Sequence, residues 1–136
     1  MKNTMKNFIK EHGLQDYIKP TSKWWYAYYE MVGANYTAGS ERGFHRHHII
    51  PRCLYRNGVL PNDNGQMDSP YNVINVPPNV HSVLHFLLYK AAKPGWFKDA
   101  MGWAYKELEK VERGNNQKYL QKACKNRVNQ SEVIIS

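Results

Sequence analysis

The 136-residue chain has few cysteines, few acidic residues and no long apolar run. Its two cysteines, Cys53 and Cys124, form no C-x-x-C pair, which argues against a disulfide framework or a zinc ribbon and leaves one bridge between them open. No apolar run approaches the roughly 20 residues of a membrane-spanning helix, and the basic N-terminus lacks the apolar stretch of a signal peptide. We therefore expect a cytoplasmic protein without a membrane partner.

The shortage of acidic residues leaves a strong positive charge. Only 11 Asp and Glu residues oppose 19 Lys and Arg residues, so the formal net charge is +8 and the pI is near 9.5. Such an excess favours a polyanionic partner, and nucleic acid is a better candidate than an anionic membrane surface. The length fits one domain, residues 1–136.

Apolar spacing and breaker residues predict helices on both sides of a short pair of strands. The predicted helices span residues 2–18, 23–32, 79–92, 96–113 and 118–127, and the predicted strands span 43–50 and 71–76. Residues 33–43 and 56–70 are predicted loops. The sequence thus indicates an α+β protein that is mostly helical. The aromatic residues of the second helix recur at helical spacing, which favours a core role over base stacking; they are Trp24, Trp25, Tyr28 and Tyr29.

Histidines cluster in the stretch HRHHIIPRCL, residues 45–54. Adjacent strand residues point to opposite faces, so His47 and His48 suit two different tasks better than one shared task. His81 and His85 lie four positions apart on a predicted helix, so their imidazoles share one face and can bind one metal ion. The alternatives are solvated imidazoles on a surface strand and two half-buried histidines packed against a neighbour.

The segments HHIIPR, NVINV and PPNVHSVLHFLL, in this order, resemble the HNH endonuclease family, whose core is the ββα-metal (His-Me finger) fold. The local sequence of these segments is most similar to that of small phage-encoded HNH enzymes, many of them homing endonucleases. Nine positions separate Asn72 from His81, a spacing similar to that of His-rich nuclease colicins. The resemblance covers about residues 43–92. It implies a single nuclease domain with N-terminal basic and aromatic helices in 1–42 and a basic helical region in 93–136.

The resemblance also implies residue roles. The metal ligands would be His47, His81 and His85; His48 would be the general base; and Asn72 would fix the loop that carries this base. His45 departs from the family pattern, because a glutamate often stands two positions before the first ligand. It could contact phosphate, orient a ligand, or be a solvated or packed histidine.

Basic residues near the motif and near the C-terminus are candidate DNA contacts. Arg46 and Arg52 flank the histidines, and either could bind the scissile phosphate. We expect Arg52 to belong to the catalytic centre and Arg46 to contact the DNA. The alternative is that they are surface arginines of a basic protein. A C-terminal group could follow the phosphate backbone, with its lysines on one helical face: Lys118, Lys122, Lys125 and Arg127.

The expected function is metal-dependent hydrolysis of double-stranded DNA to 5′-phosphate and 3′-hydroxyl ends, by a phage-encoded homing-type enzyme or a bacterial relative. One divalent ion would be the cofactor: Mg²⁺ or Mn²⁺ for activity, with Zn²⁺ or Ni²⁺ also able to bind imidazoles. One such centre cuts one strand, so a double-strand break would need a homodimer or two successive events. The alternatives are a less specific restriction or packaging-associated DNase, a catalytically inactive, metal-stapled DNA-binding protein, and an RNA-directed nuclease.

Overall fold

The computed structural model describes residues 2–36 and 41–115. These residues form an α+β structure that is mostly helical and has one two-stranded antiparallel sheet. The elements, in chain order, are α1 (Lys2–Glu11), α2 (Lys23–Asn35), β1 (His45–His48), α3 (Arg52–Arg56), β2 (Val73–Val76), α4 (Pro78–Ala91) and α5 (Trp96–Asn115), with a 3-10 turn at Gln66–Asp68. The predicted α+β, mostly helical class is confirmed.

Helix α1 ends seven residues before the end predicted at residue 18. Gly13 adopts a left-handed φ of 66°, and its N–H donates to the carbonyl of Lys10 while the N–H of Leu14 donates to that of Ile9. This pair of bonds is the Schellman arrangement, which closes a helix wherever glycine can take that conformation. Ile9 and Leu14 are both buried beside it, so the turn also anchors α1 in the core.

Helix α2 supplies the aromatic part of the core. Its first turn is capped by Ser22, whose hydroxyl accepts from the N–H of Trp24. Trp25 and Tyr28 are buried, and Trp24 and Tyr29 pack against the core at partial exposure. The predicted core role of this aromatic cluster is therefore confirmed.

Strands β1 and β2 pair in a register that places His47 opposite Ile74 and His48 opposite Val73. Both strands are shorter than predicted. The N–H of Ile49 still donates to the carbonyl of Asn72, but the N–H of Asn72 donates to Ser69 instead of returning to β1. The N–H of Ile50 donates to the side chain of Asn72, so regular pairing does not continue beyond this point. Helix α3, within residues 52–56, was not predicted, because five residues are too few to show a helical period.

Helix α4 lies between α2 and α5 and makes extensive contacts with both. It begins at Pro78, in the first turn where a missing N–H costs nothing. Its three leucines, Leu84, Leu87 and Leu88, are fully buried. Just beyond its end, Ile18 and Ala92 form an isolated antiparallel bridge. This bridge fastens the segment before α2 to the end of α4.

None of the helices formed by the described residues combines the length and the apolar character needed to cross a bilayer. The predicted helix at 118–127, and Cys124 within it, lie outside the described residues.

Candidate metal centre

Three histidines from β1 and α4 converge. Strand β1 directs the buried His47 toward α4, and α4 presents His81 and His85 one turn apart. One ligand nitrogen from each lies within 4.8 Å of the other two, which is close enough for all three to hold one metal ion. The alternating strand and the i,i+4 helical face produce this meeting.

His81 and His85 have the spacing of two ligands on one ion. Nε2 of His81 and Nε2 of His85 are 3.2 Å apart. Two nitrogens bound tetrahedrally at zinc-like distances would be separated by about 3.3 Å. The observed pair therefore needs little movement to share a cation.

An unpartnered nitrogen of His47 also fits a cation. Nδ1 of His47 and Nδ1 of His85 are buried, and neither has a hydrogen-bond partner within the described part of the chain. Buried polar atoms in folded proteins are nearly always paired. An ion at the centre of the cluster would give a lone pair of His47 the partner that the protein does not supply.

The cluster is electrically suited to a cation because its imidazoles are neutral. Burial, followed by the nearby His85, lowers the pKa of His47 well below its usual value. Burial and the nearby His85 lower the pKa of His81 to about 3. Burial and the charge of Arg52 lower the pKa of His85 to about 4. At neutral pH these side chains keep the lone pairs that metal binding requires.

His48 faces a different environment, with 11% of its side chain exposed. Its Nε2 lies 2.8 Å from Oδ1 of Asp68, and this hydrogen bond lowers the pKa of the Asp68 carboxyl. Nη2 of Arg46 is 3.8 Å from the same oxygen. Asp68 could not be identified from the sequence, because it lies in a predicted loop with no periodic pattern.

Asn72 ties together the chain segments that carry His48 and Asp68. Its side-chain oxygen accepts from the N–H of Ile50 at 2.8 Å. Its amide nitrogen donates to the carbonyls of Ile50, at 3.2 Å, and Met67, at 2.8 Å. One buried side chain thus fixes the residues after β1 against the 3-10 turn.

A cleft of about 510 Å³ opens over these groups. Its floor includes His48, His81 and His85. Arg46 and Arg52 lie on it, as does Arg56, which sequence analysis did not single out. Helix α5 forms a further wall that includes Trp103, whose surface is 66% exposed. An exposed tryptophan facing a basic cleft is recognisable only once α5 is placed beside α3.

Two further side chains, which do not line the cleft, contact the three histidines. Nδ1 of His45 lies 3.1 Å from Nδ1 of His81, so His45 contacts a candidate ligand and is packed rather than solvated. The hydroxyl of Tyr28, which sequence analysis assigned to the core alone, lies 2.8 Å from Nε2 of His47.

The four predicted C-terminal DNA contacts, Lys118, Lys122, Lys125 and Arg127, lie outside the described residues. No protein-family model, curated protein or solved structure matches the chain. Any functional assignment must therefore come from the site itself.

Proposed function

We propose that this protein is a metal-dependent endonuclease of the HNH type that hydrolyses phosphodiester bonds in double-stranded DNA. The observation that carries the proposal is the placement of His48. It lies beside three neutral histidines that can hold one ion, in a cleft that three arginines line. A cation, a base and phosphate-binding groups are what phosphodiester hydrolysis needs.

The order of the elements supports the HNH assignment. Strand β1, strand β2 and helix α4 come in this order, with α3 and the 3-10 turn between the two strands, and the candidate ligands come from the first strand and the helix. This is the order expected of a ββα-metal core. This order and these ligand sources support the proposal that the site is of the HNH type.

His47, His81 and His85 would hold one divalent ion, with Mg²⁺ or Mn²⁺ for activity and Zn²⁺ or Ni²⁺ also able to bind. When bound, the ion supplies positive charge that stabilises the phosphate oxygens and the departing 3′ oxygen. Three protein ligands leave coordination positions open for the substrate.

His48 would act as the general base. A carboxylate can only accept, so Nε2 of His48 donates to Asp68, and the neutral imidazole carries its lone pair on Nδ1. This nitrogen takes a proton from water as the water oxygen attacks phosphorus. The bond between phosphorus and the 3′ oxygen breaks, and the departing oxygen takes a proton from solvent water, giving a 5′-phosphate and a 3′-hydroxyl. Asp68 then faces an imidazolium, which its negative charge stabilises.

Other residues position the substrate and the base. Arg52 and Arg56 line the cleft and would bind phosphate oxygens beside the scissile bond. Arg46 would contact the DNA backbone nearby, and the C-terminal lysines would extend that contact. Asn72 would hold the base in line by fixing the residues that follow His48. We propose that the enzyme is phage-encoded and of the homing type.

The pairing of His48 with Asp68 favours an enzyme over a metal-stapled DNA-binding scaffold. A scaffold requires the three ligands and has no use for a fourth imidazole held by a carboxylate in an open cleft. This contact is therefore the feature that the decisive experiment should remove.

The test is incubation of the purified protein with a pool of supercoiled plasmids carrying random and phage-derived inserts, with Mg²⁺, Mn²⁺ or EDTA. We expect metal-dependent conversion to open-circle or linear DNA, with 5′-phosphate at the cut ends. His48→Ala should slow the reaction by about 100-fold or more. His12→Ala is the matched control, because its imidazole bonds to Phe8 at the end of α1.

One result would contradict the nuclease, and another would contradict only the homing assignment. Plasmids that stay intact with every metal, combined with salt-sensitive DNA binding that His48→Ala leaves unchanged, would indicate the inactive scaffold. Cleavage of every insert without preference would retain the nuclease and replace the homing assignment with a less specific DNase.

A further inference from the structure

We infer that Tyr28 of α2 is a positioning residue that fixes the tautomer of His47, so that His47 binds the metal ion through Nδ1. The inference rests on the proposed metal site. It does not depend on whether the protein cleaves DNA.

The assignment follows from counting hydrogens at the Tyr28 hydroxyl. This hydroxyl has one hydrogen, which it donates to the carbonyl oxygen of Ile49 at 2.6 Å. The same oxygen lies 2.8 Å from Nε2 of His47. Because the hydroxyl hydrogen is already used, the hydrogen in the second contact must come from His47. Nε2 of His47 therefore carries N–H and donates it to Tyr28.

The remaining nitrogen of His47 is then the one with a lone pair. A neutral imidazole has one N–H and one acceptor nitrogen, so Nδ1 is the acceptor. Nδ1 is buried and has no hydrogen-bond partner in the described segments. The ring of His47 lies 5.2 Å, centre to centre, from the rings of both His81 and His85. The free lone pair thus belongs to the ring packed against the other two candidate ligands.

Both groups at this contact are held rigidly. Tyr28 and His47 are almost fully buried, and the ring of Tyr28 stacks on that of Trp25, with centroids 5.4 Å apart. Outer partners of this kind set ligand orientation at metal sites, and their loss typically lowers metal affinity by roughly 10- to 100-fold. Helix α2, which supplies no ligand itself, would therefore contribute to metal binding.

The first test needs no variant. Long-range ¹H–¹⁵N spectra of the metal-free protein, with ¹⁵N-labelled histidine, report which nitrogen of His47 is protonated. We expect Nε2–H before zinc is added. On titration with Zn²⁺, the resonance of Nδ1 should move while Nε2 keeps its hydrogen. An Nδ1–H tautomer, or zinc bound through Nε2, overturns the inference.

The second test compares Tyr28→Phe with Tyr29→Phe, which removes the neighbouring hydroxyl from the same aromatic cluster. Competition with a chromophoric chelator gives the zinc affinity of each. We expect Tyr28→Phe to bind about 10- to 100-fold more weakly and to show a mixed His47 tautomer, with Tyr29→Phe unchanged. Equal affinity and an unchanged tautomer in Tyr28→Phe overturn the inference.

The outcomes separate this inference from the proposed function. If the wild-type protein binds no Zn²⁺, Mn²⁺ or Mg²⁺, the metal site fails, and both the proposed function and the inference fail with it. If the wild type binds zinc and cleaves DNA but His47 has the other tautomer, the nuclease proposal stands and the role of Tyr28 is wrong. Should Tyr28→Phe fail to fold, the tautomer of the wild-type protein alone decides.

Discussion

His47 and His48 are adjacent in β1, and their surroundings differ in every respect that matters for chemistry. His47 is fully buried, is bonded to a neutral hydroxyl and packs against two other imidazoles. His48 reaches a cleft lined by arginines and is bonded to an exposed carboxylate. The alternation of a strand produces this contrast from two identical residues.

In the proposed enzyme, this contrast would separate the binding of a cation from the transfer of a proton. On the buried side, exclusion of water keeps the imidazoles neutral and fixed, which suits ligands. On the cleft side, a negative partner stabilises an imidazole that gains a proton, and open space admits water and substrate. Substitutions on either side therefore test whether metal binding and cleavage can be changed separately.

His47→Ala should have the largest effect, because it acts on both sides. Metal affinity should fall by more than the roughly 10- to 100-fold that loss of an outer partner costs, and cleavage should be lost with it. The metal-free protein should also lose about 1–3 kcal/mol of unfolding free energy, since Tyr28 loses its buried donor. Chelator competition and urea unfolding measure the two effects. Undiminished metal binding would place the ion elsewhere.

His48→Ala should affect the cleft side alone. We expect cleavage to fall by roughly 10²- to 10⁴-fold, the usual contribution of a general base. Zinc affinity should stay within about twofold of the wild type, because the buried ligands and Tyr28 are untouched. A parallel loss of zinc affinity would show that His48 is a ligand, and the division of tasks within β1 would then be wrong.

Asp68→Asn should have a smaller effect. The amide oxygen still accepts from Nε2 of His48, but the negative charge that stabilises the protonated base is gone. We expect single-turnover cleavage to slow by about tenfold, the low end for a hydrogen bond to a charged group, at unchanged metal affinity. Asp63→Asn, at an exposed position of the same loop, should cleave at the wild-type rate. Faster cleavage by Asp68→Asn would mean that the carboxylate competes with phosphate.

Trp103→Ala should have the smallest effect, and only on substrate binding. Measured in the His48→Ala background to prevent cleavage, its dissociation constant for duplex DNA should rise roughly fivefold, if its exposed ring stacks on a base. Trp96 lies on the same helix and is 44% exposed, but its ring packs against Tyr17 and Phe97. Trp96→Ala should therefore bind DNA as before. Equal affinities for the two variants would remove Trp103 from the substrate surface.

The sequence carried enough information to predict what depends on local spacing. The helical period, the proline and glycine breakers and the alternation of a strand predicted the elements around the histidines. They also predicted that His81 and His85 share a face. The predicted lengths of the helices and strands were less accurate. Gly13 ends α1 and Asn72 ends β1 through hydrogen bonds that the periodicity of the sequence does not show.

Contacts between distant segments could not be predicted in this way. Tyr28 shows an apolar pattern that correctly assigns its ring to the core, but the pattern says nothing about where its hydroxyl points. Asp68 lies in a loop that only the bonds of Asn72 bring to His48. Arg56 and Trp103 become neighbours of one cleft only through the packing of α3 beside α5.

The bridge between Ile18 and Ala92 has a topological consequence. The N–H of Lys19 donates to the carbonyl of Ala91, and that of Lys93 to the carbonyl of Tyr17, so the two ends of this segment lie side by side. Every residue of the candidate centre lies between them in the chain. The candidate centre is therefore formed within one closed loop of the chain, residues 18–92, whose two ends are joined by this bridge. Segments joined before or after that loop can change without rerouting the chain that forms the centre.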